Sequence, residues 1–164
     1  AVSTPIQHAA VAGFEISSDM DEYFEITRNI HRIMGEYVHD TLLEIDGVKA
    51  TKPDATFYLL ADFNAFATDL QKVKISTSQK LSESLMVHPY HTAIVGGDSL
   101  VLERTDFSAR IAYVDYDGNK VYENYKNQIP KTHSERTQFV IDNAPKTVGG
   151  IKMIKKFFED IRKK

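Results

Sequence analysis

The sequence predicts a mixed α/β (α+β) fold, one small sheet of about three to five strands covered by helices. Three observations carry that expectation. Two tracts rich in aromatic and β-branched residues, 56–63 and 107–114, read as strands free of Gly and Pro. A long apolar stripe at helical spacing precedes them, and everything beyond Gly118 reads as helix. The composition, 42% hydrophobic and 26% charged over 164 residues, is that of a globular chain long enough for one real core and short for two. Disorder and membrane insertion both fit it poorly.

In chain order, Thr4 can cap a short helix with Pro5 at its first position and Gly13 at its end. Ser17-Ser18-Asp19 caps a much longer one, whose stripe runs Tyr23, Ile26, Ile30, Ile33, Tyr37, Leu42 to about Ile45 before Gly47 stops it. Arg28, Arg32, Glu36 and Asp40 lie largely off that stripe and read as a solvated face. A short strand over 48–51 and a turn at Lys52-Pro53-Asp54-Ala55 lead into the 56–63 strand. That strand is so continuously apolar that it is expected to be covered on both faces. Residues 64–74 read as an irregular loop. Ser76-Thr77-Ser78 caps a helix through Leu81, Leu85 and Met86 that ends at His88-Pro89. A short strand over 92–95 turns at Gly96-Gly97-Asp98, and helices are expected over 120–128, 134–142 and 151–162. Gly149-Gly150, like Gly96-Gly97, reads as a turn.

In the 107–114 strand, Phe107, Ala109, Ile111 and Tyr113 share one face, and Ser108, Arg110, Ala112 and Val114 the other. Arg110 thus sits mid-strand among small or apolar residues. A guanidinium held there needs an anionic partner, because its charge cannot be titrated away. Taken alone, the strand favours an internal ion pair with an acid such as Asp115 or Asp62. A ligand carboxylate is the alternative.

No other pattern carries chemistry by itself. The chain has no Cys, so thiolate metal sites, disulfides and Cys nucleophiles are excluded. The six His do not fall at metal-ligand spacing: His88 and His91 straddle Pro89, and His31 and His39 lie two helical turns apart. GxSxG, Walker A and GxGxxG motifs are absent. Asp115 and Asp117 read as a strand end and a helix cap rather than an acid/base pair. A net charge of -3 gives no footprint for nucleic acid or anionic lipid. The sequence therefore predicts no metal, and no nucleic-acid or membrane partner.

Four stretches in order resemble the C-terminal part of class I/II aminotransferases, the pyridoxal-phosphate enzymes of fold type I. Ser3-Thr4-Pro5-Ile6-Gln7-His8-Ala9-Ala10 is similar to the family's Ser/Thr-x-Pro-x-Gln-x-Ala-Ala segment, and the 22–45 helix to the one linking its large and small domains. Lys52-Pro53-Asp54-Ala55-Thr56-Phe57-Tyr58-Leu59 resembles its Pro-x-Gly-(Ala/Thr)-Phe-Tyr-Leu segment, with Asp54-Ala55 in place of the Gly-containing turn. Phe107 to Tyr113 resembles its Val/Leu-Arg-Ile/Leu-Ser/Ala segment, although 95–100 lacks the Pro-Gly-x-x-Phe-Gly pattern expected before it.

The resemblance implies that 1–18 ends a large-domain segment, that 19–46 is the linking helix and that 47–164 is the small domain, the whole forming one compact unit. It implies that Arg110 binds the substrate α-carboxylate, and that Ser3 and Thr4 approach the cofactor region of a neighbouring subunit. The cofactor lysine, the acid that pairs the pyridinium nitrogen and most phosphate-binding groups would lie upstream of Ala1. Lys146 and Lys152 are expected to be surface residues. The implied parent is a cytoplasmic, homodimeric aminotransferase moving an amino group between an amino acid and a 2-oxo acid. The chain alone would bind no pyridoxal phosphate and be inactive. A free-standing carboxylate-binding module and a structural interaction domain remain as alternatives.

Overall fold

A helix of 26 residues, α2 (Ser18–Leu43), is the longest element, and three other helices and two strands pack against it. The computed structural model describes residues 2–15 and 17–163. Ser17 caps α2 by accepting a hydrogen bond from the Met20 N–H, and Asp19 and Asp21 complement the dipole in its first turn. Its buried stripe is Ile26, Ile30, Ile33, Met34, Val38 and Leu42. Tyr23, expected on that stripe, is exposed, and Tyr37 is only partly buried; the packed face turns through Met34 and Val38 instead. Gly47, at φ +89°, makes the left-handed turn after the helix that a side chain would resist.

Preceding it is α1 (Thr4–Gly13), with Pro5 in its first turn and no buried residue. Ser3, not Thr4, occupies its N-cap, and no side chain caps it. Downstream come β1 (Lys49–Ala50), β2 (Tyr58–Asp62), α3 (Ala67–Lys72), α4 (Ser78–Met86), β3 (Val95–Gly96), β4 (Ser108–Ala112), α5 (Gly118–Asn127), α6 (His133–Asn143) and α7 (Pro145–Arg162). The strands form one antiparallel sheet in the order β1-β2-β4-β3. The expected small sheet covered by helices is what the chain adopts, in its α+β form.

Three further expectations fail for physical reasons. Residues 64–74 are not irregular: a 3₁₀ turn (Asn64–Phe66) runs into α3, because Phe66 and Leu70, one turn apart, both enter the core. The last helix starts at Pro145, six residues earlier than expected, and carries Gly149 and Gly150 inside it. Proline suits a first helical position, where its missing N–H would lack a partner anyway. The glycine pair costs about 1 kcal/mol each relative to alanine. Burial of Thr147, Val148, Ile151, Ile154, Phe157 and Phe158 on the same helix offsets it. Finally, β2 is covered on one face only. Leu59 and Ala61 are buried, while Tyr58, Leu60 and Asp62 point to the other side and are exposed or half-buried.

The core lies between the covered face of the sheet and α2, α5, α6 and α7. Phe63 stacks on Phe158 at 4.5 Å between ring centroids, and Phe66 lies at 4.5 Å from the same ring. Tyr113 is 1% exposed, and α2 approaches it so closely that a Cβ on Gly35 would fall 3.0 Å from the Tyr113 hydroxyl and 2.7 Å from Pro53 Cγ. Only glycine allows that approach.

Candidate functional site

Strand β4 alternates as its sequence predicts. Ala109 and Ile111, with the flanking Phe107 and Tyr113, are buried against the helices, and Arg110 projects from the open face. The register places Leu60 directly across from Arg110 on β2 and Val95 across from it on β3. Tyr58, two residues from Leu60, reaches diagonally so that its ring lies under the guanidinium, 5.0 Å from centroid to Cζ. Arg110 is half-buried in this apolar setting.

Neither acid named as an internal partner takes that role. Asp62 Oδ1 accepts from the Asn64 N–H and from Asn64 Nδ2, each at 2.8 Å. Asp115 faces Lys146 at 3.4 Å in a largely exposed pair. Among the described residues no ion pair involves Arg110. Among the described residues the guanidinium meets an aromatic face and no carboxylate.

The strand that carries it is pinned at both ends. At the start, Asn64 bridges β2 and β4: its Nδ2 also donates to Asp106 Oδ1 at 3.0 Å, and its Oδ1 accepts the Phe107 N–H at 2.9 Å. Asp106 accepts the Ser108 N–H at 2.9 Å. These bonds, that from Asn64 first, hold the Asp106 carboxyl below its ordinary range. At the far end the Tyr113 hydroxyl donates to the Thr56 carbonyl at 3.2 Å. Burial raises the Tyr113 phenol, and it pushes that of Tyr116 up to about 12. The Tyr116 hydroxyl lies 3.3 Å from His31 Nδ1, and burial lowers the pKa of His31.

Other candidates disperse. Asp117 caps α5 by accepting from the Lys120 N–H, the structural role expected of it. Lys146 and Lys152 are exposed, as expected. Ser3 and Thr4 are exposed as well, and no residue of the helix they begin is buried. Lys146 lines a cleft of about 730 Å³ together with His91, Thr92, Asp115 and Thr147, and pairs with Asp115 at 3.4 Å. His88 and His91 have ring centroids 5.7 Å apart, but among the described residues no group of three or more His, Cys, Asp or Glu could hold a metal ion. No described helix is long and apolar enough to cross a membrane.

Tyr58 is the site residue that the sequence analysis missed. The signal was available, since alternation from Leu59 puts Tyr58 on the open face, but its meeting with Arg110 depends on the strand pairing. No family model matches the chain, and no curated protein matches it.

Proposed function

We propose that the chain is the C-terminal part, small domain included, of a pyridoxal-phosphate-dependent aminotransferase, and that Arg110 binds the α-carboxylate of its amino-acid and 2-oxo-acid substrates. One observation carries the proposal: a half-buried guanidinium on an open sheet face, seated on Tyr58, with no acid partner among the described residues. A planar fork of donors in a partly dry site suits bidentate carboxylate recognition, and internal neutralisation would spoil it. The four motif resemblances, in the family's order, support the same reading.

In this proposal Arg110 fixes one end of the substrate, and the pinned strand β4 holds that anchor still while bonds change elsewhere. The cofactor and the lysine that engages it belong to a large domain outside this chain. The parent would be a cytoplasmic homodimer.

The test has two arms. The coding sequence upstream of Ala1 is expected to contain a Ser-x-x-Lys-like cofactor segment, and its absence would sink the proposal. In the protein expressed from that longer reading frame, Arg110→Ala should lower kcat/KM on the order of a hundredfold or more, as expected for loss of a desolvated charge-assisted contact. The 164-residue chain alone should not transaminate. Aldimine-band absorbance and turnover by that chain would contradict the proposal.

A further inference from the structure

A cleft of about 620 Å³ lies between the middle of α2 and the segment leading into β2. Arg28, Asn29 and Arg32 line it from the helix, and Lys52, Pro53 and Phe57 from the opposite side, with Tyr113 also on its wall. Arg28 and Arg32 are exposed, as expected of a solvated face, and the fold sets them along a concave surface.

The electrostatics of that surface are unbalanced. Arg28 and Arg32 stand one turn apart on a helix, where like charges repel. Lys52 adds a third positive charge from the other wall. Among the described residues none of the three is in an ion pair. Two acids also line the cleft, but Glu36 is engaged by Arg136 at 3.4 Å, which leaves Asp54 against three cations.

Both guanidinia are partly fixed. Arg28 donates through Nε to the Phe24 carbonyl at 3.1 Å, and Arg32 donates through Nη2 to Asn29 Oδ1 at 3.0 Å. Their remaining N–H groups are free for a ligand. At the rim Thr56 has φ +68°, a left-handed conformation that a β-branched residue adopts only under constraint. The Tyr113 hydroxyl, bonded to the Thr56 carbonyl, helps hold it there. Strain of this kind gathers where a segment is shaped for a ligand.

We infer that this cleft binds an organic phosphate, the phosphoryl dianion held by Arg28, Arg32 and Lys52 and the organic part resting on Phe57 and Pro53. A dianion matches three cations offset by one acid, and guanidinium forks suit phosphoryl oxygens. Phe57 is 46% exposed and offers an apolar wall that inorganic phosphate would leave unused. The cleft adjoins the Arg110 site, since the Phe57 ring meets that of Tyr58 edge-on at 5.3 Å between centroids, but it does not depend on the proposed transamination.

Phenyl phosphate and inorganic phosphate, titrated into the 164-residue chain and followed by backbone amide NMR, test this. Phenyl phosphate should bind saturably, more tightly than inorganic phosphate, and shift the amides of 28–32 and 52–57. It should weaken as salt rises. The double variant Arg28→Gln/Arg32→Gln should bind it at least tenfold more weakly, with the fold intact because both residues are exposed; an unchanged amide spectrum away from the cleft checks this. Lys80→Gln, on α4 and outside the lining of the cleft, should bind as the unaltered chain does. Equal affinity in the double variant, shifts centred elsewhere, or no preference for the phenyl ester would each overturn the inference.

Discussion

The two faces of the sheet follow the same alternation and have opposite fates. On one, Leu59, Ala61, Ala109 and Ile111, with Phe63, Phe107 and Tyr113 at the strand ends, are sealed under helices. On the other, Tyr58, Leu60, Val95 and Arg110 share a surface that no described element fully covers. Burial of the first face supplies cohesion through apolar area and ring packing. The second face contributes little to folding, which leaves it free to hold a charge in a setting chosen for something other than stability. The contrast separates what the fold needs from what the site needs.

The largest effect should come from the covered side. Phe158→Ala removes the ring against which Phe63 and Phe66 pack and should cost about 3–5 kcal/mol in urea unfolding. A loss under about 1 kcal/mol would mean that the two faces differ less than their burial implies. Gly35→Ala comes next. Its Cβ would press on Pro53 and on Tyr113 and should cost about 1–3 kcal/mol, read as a lowered denaturant midpoint.

A pH effect of intermediate size belongs to the anchor of β4. The Asp106 carboxyl titrates below its ordinary 3.8 in the folded chain because Asn64 and Ser108 bond its charged form. The folded state therefore binds fewer protons than the unfolded one near that pH. Its contribution is present above about pH 3.8 and is lost as pH falls through the folded value. Asp106→Asn should flatten the fall of stability in that acid range, measured by chemical denaturation at stepped pH. An unchanged slope would remove Asp106 as an anchor.

Much of this division was legible in the sequence. The 107–114 tract could be assigned correctly, face by face, because period-2 alternation is a local property. The caps at Ser17, Thr77 and Asp117 were legible for the same reason, since each bonds an N–H within its own first turn. What failed was tertiary. Phe66 and Leu70 form a helical turn because a core is there to receive them, and Gly149-Gly150 stay helical because the rest of α7 is buried. Tyr58–Leu60 looked like a doubly covered strand because its residues are apolar, yet nothing local says what lies above it. The place of Tyr58 beneath Arg110 and the closing of Arg28, Arg32 and Lys52 around one cleft both depend on pairings between distant segments.

On the open face the effects should be small. Tyr58→Ala removes one cation–π contact and should cost about 0.5–1 kcal/mol. The most direct test of the central claim, that Arg110 is kept for a ligand and not for the fold, is the equilibrium unfolding of Arg110→Ala. A cost below about 1 kcal/mol is predicted, since only an aromatic contact and some packed methylenes are lost. A cost of about 3–5 kcal/mol, the signature of breaking a buried ion pair, would contradict it.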